Sequence, residues 1–391
     1  MTHSDSVKKL IYILNSYSET DASHFTHILH LLEVMAEQGC EIVLLIEKSG
    51  TLPKFKNPAI TVLSLRTKLP LLRHVELFIK IAGLIRRGYR TTFVRIAAPA
   101  TIVASLVHRL FGGRCLLWQS GTTYEYDWAQ PRSMNKFKWW LSSHVPNWVA
   151  RKIVHRFVTG PEAMVNYYAE VVHVPREKIT LLYNDIQIER FSGACHVGAR
   201  ASFLTKHDVS SEALVLLLVH RLSPVRRSLM YLEPTLKALD RQTSHRNWIL
   251  VVAGGGSELE AAKALAHRLG VSNHVLFLGN VPNREIPALY AVADIFMHPT
   301  YTEGFPRVLI EAMAAGLPIV TTDAGGTGQL LGQKQMDFVV NKNDPAEFAR
   351  KSIELISRND QWPALTMENK RVVQRFSTPA VAEMYLKALF S

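Results

Sequence analysis

Cysteine is scarce in this 391-residue chain: Cys40, Cys115 and Cys195 are odd in number and far apart. That excludes a disulfide framework and a closed zinc site, and it points to a reducing compartment. Long apolar runs are missing too. The opening run, residues 10–14, ends at Asn15, too short for a secretory leader. Stretches such as residues 97–107 fall short of the roughly 20 residues that a bilayer-spanning helix needs. The chain therefore reads as cytoplasmic and non-integral, with peripheral attachment to the inner membrane face left open. Acidic residues are lacking in one place. Between Lys54 and Arg156, 18 basic residues face only Glu76, Glu125 and Asp127, a net charge of +15. Residues 201–391 carry 20 basic against 18 acidic residues. A field so uneven favours polyanionic partners: anionic lipid, a phosphate-bearing acceptor or nucleic acid. There are no internal repeats, and no Asp-x-Asp cluster is present to hold a metal.

The length suits two domains, each with enough apolar residues for its own core. The chain opens as strand, helix and strand: residues 9–14 read as a buried strand, residues 24–38 carry Ile28, Leu31, Leu32 and Met35 on one face, and residues 41–46 read as the second strand. Such a βαβ opening predicts a doubly wound parallel sheet, with ligands at the carboxyl ends of its strands. Residues 71–87 follow as an amphipathic helix whose expected inner face holds Leu72, Val75, Phe78, Ile79, Ala82 and Ile85. Strands are expected at 91–96, 114–118, 156–159 and 179–183. Residues 135–157 mix Trp139, Trp140 and Trp148 with lysine and arginine, which fits a membrane interface or single-stranded nucleic acid, although no nucleic-acid module is recognisable. Core tryptophans beside solvated lysines give the same pattern.

The most informative stretch is residues 302–320, T-E-G-F-P-R-V-L-I-E-A-M-A-A-G-L-P-I-V. It follows an apolar strand, turns through Gly304, and places Pro306 where a first helical residue suits its fixed φ. Gly316 and Pro318 then stop the helix. Glu303 lies before the helix and Glu311 within it, eight residues apart. Between them the positive end of a helix dipole is a seat for phosphate. Two hydroxyl-binding carboxylates around an anion site describe a sugar nucleotide.

This stretch resembles the E-x7-E signature of retaining GT-B glycosyltransferases, family four in the usual classification. The resemblance implies two Rossmann-like doubly wound domains facing a central cleft. It implies contact with the donor sugar for Glu303 and with the ribose for Glu311, with Gly304, Phe305, Pro306 and Val308 beside them. The segment H-R-L-S-P-V-R-R, residues 220–227, is similar to the family's G-R-L-x-P-x-K-G, so Arg221 and Arg226 inherit the donor diphosphate, while Arg227 stands where the family has Gly. Gly254 and Gly255 follow the next strand, and Val281 and Asn283 match the base-contacting loop in place. The family needs no metal or other cofactor. Its paired glycines in the first loop are replaced here by residues 18–23, and its usual His near the sugar by Gln119. His24, His27 and Gln119 are therefore acceptor-side candidates, the histidines equally readable as solvated or helix-packed. Glu125 and Asp127 either orient the acceptor hydroxyl or act as counter-ions.

Residues 178–191 resemble the family's hinge, with Asp185 in place of a Gly. The expected division is residues 1–191 as acceptor domain, 192–202 as linker and 203–373 as donor domain. Residues 374–391 should cross back onto the first domain. The activity so implied is transfer of a hexose-type sugar, with retention, from a nucleotide-diphosphate sugar, UDP favoured over GDP. The expected acceptor is a glycan, lipid-linked, of a bacterial surface polysaccharide, at an anionic membrane surface. A GT-B epimerase or phosphorylase, or a nucleic-acid-binding protein using the basic half, is the alternative; nucleic acid is disfavoured.

Overall fold

Near-continuous apolar strands such as Ile11–Leu14 and Leu214–Val219 are buried on both faces, which only parallel sheets covered by helices can achieve. The computed structural model describes residues 7–18, 26–67, 69–121, 137, 140–192, 198–242 and 247–391. They form two units, each around its own sheet.

The first sheet holds β1 (Lys8–Tyr17), β2 (Cys40–Ser49), β3 (Ile60–Ser64), β4 (Thr91–Arg95), β5 (Arg114–Trp118), β6 (Arg156–Thr159) and β7 (Ile179–Leu181) in the order β3-β2-β1-β4-β5-β6-β7, all parallel. The second holds β8 (Leu214–Val219), β9 (Trp248–Ala253), β10 (Val275–Gly279), β11 (Ile295–His298), β12 (Ile319–Asp323) and β13 (Val339–Asn341) in the order β10-β9-β8-β11-β12-β13, again parallel. Strand order reverses between β1 and β4 and between β8 and β11. At such a switch point helices leave to opposite faces and open a crevice at the carboxyl edge.

The first unit runs to Asp185 and resumes at Thr378, so the division falls six residues before the expected residue 191. Its final helix, Thr378–Phe390, packs on the helix Thr26–Glu37. Thr378 Oγ1 donates to Asp185 Oδ2 at 2.9 Å, which gives the aspartate in the hinge-like segment a structural partner. Tyr385 from the same helix lies 5.5 Å from Phe93, and Phe93 stacks on Tyr12 at 5.1 Å. Beside these rings the buried Arg95 donates to Asn184 Oδ1 at 2.5 Å and lies 4.0 Å over the Trp118 ring.

Two expectations need correction. The helix Pro70–Arg86 buries Leu77, Ile81, Ala82, Leu84 and Ile85, whereas Leu72, Val75 and Ile79 are exposed with Leu71. The inner face is rotated from the one expected, because a helix this apolar offers two stripes and the sheet covers only one. The expected linker is shorter than residues 192–202, since Ala199–Lys206 is helical; residues 193–197 lie outside the described residues. The strand β3 and the helix Glu162–Glu170 had no expectation.

In the second unit a glycine turn locks β9 against β8. A Cβ on Gly254 would lie 2.0 Å from the His220 carbonyl oxygen, and one on Gly256 1.9 Å from that of Leu222. Gly39 has φ +86° but nothing within 4 Å of a built Cβ. Gly39→Ala should therefore cost only the left-handed backbone penalty, about 1–2 kcal/mol. Gly254→Ala should cost at least about 3 kcal/mol, because backbone must move. Urea unfolding of the two variants checks this, and equal losses would show that the close approach is not rigid.

Candidate active site

At the carboxyl edge of the second sheet, β8 runs into His220 and Arg221, and β11 ends at His298. The chain after β8 makes tight turns, Arg226 N donating to Ser223 O at 3.0 Å and Arg227 N to Pro224 O at 3.2 Å. Arg227 has φ +50°, the left-handed conformation that glycine adopts freely. Its guanidinium lies 3.5 Å over the Tyr301 ring, and Lys342 Nζ is 4.9 Å from the same ring. Cation–π contact thus offsets part of the backbone cost where the resembled motif has Gly.

The loop after β11 is fastened to its neighbours by threonines. Thr300 N donates to Thr322 Oγ1 at 2.9 Å, and Thr322 Oγ1 donates back to Thr300 O at 2.5 Å. Thr302 Oγ1 donates to Val225 O at 3.1 Å, and Tyr301 N to Arg226 O at 3.1 Å. These bonds bring the loops after β8 and β11 together. Arg226 Nη1 consequently donates to Glu303 Oε2, while Gly304 N lies 3.3 Å from Glu303 Oε1. His298 Nε2 stands 3.7 Å from the same Oε2. Burial pushes the Glu303 carboxyl up, but Arg226 and His298 together outweigh it and hold it well below the usual carboxylate range.

The helix Arg307–Ala315 begins one residue later than expected, with Pro306 as its N-cap, and ends at Gly316, φ +81°. Glu311 sits in its second turn. Tyr290 Oη donates to Glu311 Oε2 and Val308 O, each at 3.1 Å, and Arg307 Nη2 lies 3.9 Å from Glu311 Oε1. Here burial prevails over Arg307 and the tyrosine hydrogen bond, and the Glu311 carboxyl is raised. Two carboxylates of one motif are thus pushed in opposite directions. Glu303 is kept ionised, and Glu311 is moved toward a form able to donate.

The other expected residues fall as follows. Arg221 is exposed at the end of β8. Phe305 is buried, 5.9 Å from Phe376, so its ring serves packing. Gly254 lies against the end of β8, and Gly255 N donates to Asn280 Oδ1 at 3.1 Å. Val281 and the exposed Asn283 follow β10, and Asn283 O accepts from Arg190 at 3.2 Å. In the first unit His27 Nε2 is 3.4 Å from Arg95 Nη2, and Gln119 Nε2 donates to Asn147 Oδ1 at 2.6 Å. His24, Glu125, Asp127 and Trp139 lie outside the described residues. Sequence reasoning passed over His220, His298, Tyr290 and Arg307. The strand-terminal histidines were findable, because both follow apolar runs at the switch point.

Residues 201–371 match the family model described as Glycosyl transferases group 1. This part of the chain belongs to that family. The group 1 segment carries the whole Glu303–Arg226–His298 arrangement. Its curated relatives include a D-inositol 3-phosphate glycosyltransferase of Streptomyces avermitilis, 29% identical over 206 residues, 51% of this chain and 43% of that protein. A GDP-mannose-dependent alpha-(1-6)-phosphatidylinositol monomannoside mannosyltransferase of Mycobacterium tuberculosis is 36% identical over 123 residues, 30% of this chain and 32% of that protein. The matches thus span less than half of either relative. Among solved structures, Anabaena Alr3699/HepE in complex with UDP superposes with a TM-score of 0.74 at 15% identity, covering 97% of this chain and 99% of that one. At that identity the likeness establishes the fold, which is GT-B.

The depressed carboxyl of Glu303 has a consequence for stability. Its pairing with Arg226 stabilises the second unit above the ordinary glutamate range, and that contribution disappears as pH falls through this range toward the lower folded value. Glu303→Gln, which leaves Arg226 without its partner, should cost about 3 kcal/mol at neutral pH. The gap to the parent should narrow on acidification. Urea midpoints between about pH 7 and about pH 3 measure it, and a gap independent of pH would remove the ion pair from the account.

Proposed function

We propose that the chain is a retaining glycosyltransferase. It moves a hexose-type sugar from a nucleotide-diphosphate sugar to a glycan acceptor, lipid-linked, in the synthesis of a bacterial surface polysaccharide. The observation that carries this reading is the Glu303–Arg226 pair above the β8/β11 switch point. A carboxylate kept ionised accepts hydrogen bonds from sugar hydroxyls, and an adjacent guanidinium, always charged, holds phosphate oxygens.

Breaking the bond between the anomeric carbon and the phosphate oxygen leaves charge on the diphosphate. Arg226 and Arg221 are the fixed cations that stabilise this charge as it develops. The acceptor oxygen bonds to the anomeric carbon on the face the phosphate leaves, and its proton passes to the departing phosphate oxygen. Glu303 positions the sugar and is not the nucleophile. Glu311, helped by Tyr290, binds the ribose, with Gly304, Val308, Gly254, Val281 and Asn283 around the nucleotide. His27 and Gln119 belong to the acceptor side. No metal or other cofactor is required in this scheme.

For the base, support comes from both directions. One fold neighbour is a complex with UDP, and one relative is named as GDP-mannose-dependent. UDP is the favoured donor nucleotide. A panel of UDP- and GDP-sugars, scored by nucleotide release on adding a separate acceptor, tests the reading; release without acceptor favours a phosphorylase or epimerase. Within that assay Glu303→Gln should cripple turnover while leaving nucleotide affinity mostly intact. Glu311→Ala should weaken nucleotide binding itself by about 1.5–3 kcal/mol. Near-parental kinetics in both variants would sink the assignment.

The first unit is the part we assign to the membrane surface. No helix among the described residues is long and apolar enough to cross a membrane. Leu71, Ile79 and Trp148 are nevertheless 82%, 65% and 55% exposed, in a region rich in lysine and arginine. Apolar side chains interleaved with cations suit an anionic interface, where each cation contributes about 1 kcal/mol. In vesicle sedimentation the protein should pellet with anionic lipid and be released by salt, since the screening length shrinks from about 10 Å at 0.1 M to about 3 Å at 1 M. Equal recovery with neutral and anionic vesicles refutes the docking.

A further inference from the structure

His298 closes β11, and the scheme above leaves it unused. The side chain is wholly buried, and neither ring nitrogen has a hydrogen-bond partner among the described residues. A buried polar group without a partner is an exception that needs an explanation. Its Nε2 is 3.7 Å from Glu303 Oε2, too long for a hydrogen bond and short enough for strong attraction between charges. That oxygen accepts instead from Arg226 Nη1. His220, closing β8, presents its ring edge-on to His298 at 6.1 Å, with Nε2 3.2 Å from Ser228 Oγ and Nδ1 without a partner. Among the described residues, Glu303, Arg226 and His220 are the titratable or charged groups that face His298.

Two groups thus compete for one carboxylate oxygen, and Arg226 holds it. Burial, aided by Arg226, outweighs Glu303 and lowers the His298 imidazole below its ordinary range, which favours the uncharged ring. A donor changes this balance. Its diphosphate carries two negative charges and draws Arg226 to itself, which leaves Glu303 ionised in a dry site beside a dianion. An unpaired buried charge is costly, and the next group in reach is His298.

We propose that His298 is a positioning residue that neutralises Glu303 when a diphosphate engages Arg226, so that donor binding takes up one proton from solvent at the His298 ring. The proposal rests on the donor reading above. It explains the orphan ring nitrogens as acceptor and future donor, and it keeps Glu303 oriented while its other oxygen receives the sugar hydroxyls. The sign follows from linkage. A group whose pKa is higher in the complex than in the free protein binds a proton on complex formation, so affinity is greatest at low pH and falls as pH rises through the value in the complex. The fall is at most about tenfold per pH unit for one proton.

The experiment is calorimetric titration of the full chain with UDP-glucose and GDP-mannose at neutral pH in buffers of different ionisation enthalpy. The phosphates of these probes are esterified on both sides and hold no proton that titrates near neutrality. The parent should take up between about half a proton and one proton per donor bound. His298→Gln, which keeps a hydrogen-bonding side chain without a titrating ring, should bind with none and show affinity independent of pH from about 6 to about 8. Glu303→Gln should abolish uptake as well, because no charge remains to be neutralised, whereas His220→Gln should retain it. Binding by the parent with no proton uptake overturns the proposal without any variant, and so does equal uptake by the parent and His298→Gln. Failure of the parent to bind either probe overturns the donor reading, and this proposal with it.

Discussion

One carboxylate, withdrawn from water at the edge of a parallel sheet, sets the terms for the second unit. Glu303 is mostly buried, its side chain 11% exposed, in a loop that two threonine hydroxyls fasten to β12 and to the chain after β8. A buried ion pair rarely repays its own desolvation, so the pair with Arg226 is poor evidence of selection for stability. It is better evidence of a site held ready. Loops joined by this pair are held together, and the carboxylate fixes the orientation of the Arg226 guanidinium. The flanking features serve the same end. The glycine turn after β9 lets β8 end close by, and the left-handed Arg227 carries the chain round tightly enough for Arg226 to point back at Glu303.

What the sequence made legible was the part governed by local rules. Strands β5 and β6 have the limits expected, because each is a short apolar run opened by an arginine. The parallel sheets followed from the alternation of strand and helix. The helix after Glu303 was legible from Pro306 and Gly316, although Pro306 proved to be the cap and not the first turn. What escaped depended on tertiary contact. Leu72, Val75 and Ile79 match the helical period as well as Leu77, Ile81 and Leu84 do, and only the position of the sheet decides between the stripes. The partners of Glu303 and Glu311 come from His298 and Tyr290, on other elements, where no spacing rule reaches.

The first unit solves a different problem with the same materials. A guanidinium at the carboxyl end of β4 is buried against Trp118 and Asn184, and the final helix brings Tyr385 to the stacked rings of Tyr12 and Phe93. Arg114 anchors that helix from the amino side of β5, donating to Ser391 O at 2.6 Å and to Leu389 O. The arginines that serve structure are thus inward or tied to carbonyls.

Places where the chain departs from the motifs it resembles share one physical pattern. Asp185, where a glycine is usual, is held by Thr378 Oγ1; Arg227, where another glycine is usual, keeps the glycine conformation and recovers energy from the Tyr301 ring. His220 stands in a third such position and makes a contact a glycine could not, lying edge-on to His298. Each substitution adds a side chain where the motif has none, and each side chain finds a partner within its own unit. At Arg227 the chain keeps a left-handed turn without a glycine. That turn leaves Arg226 facing Glu303, so the ion pair forms in spite of the substitution beside it.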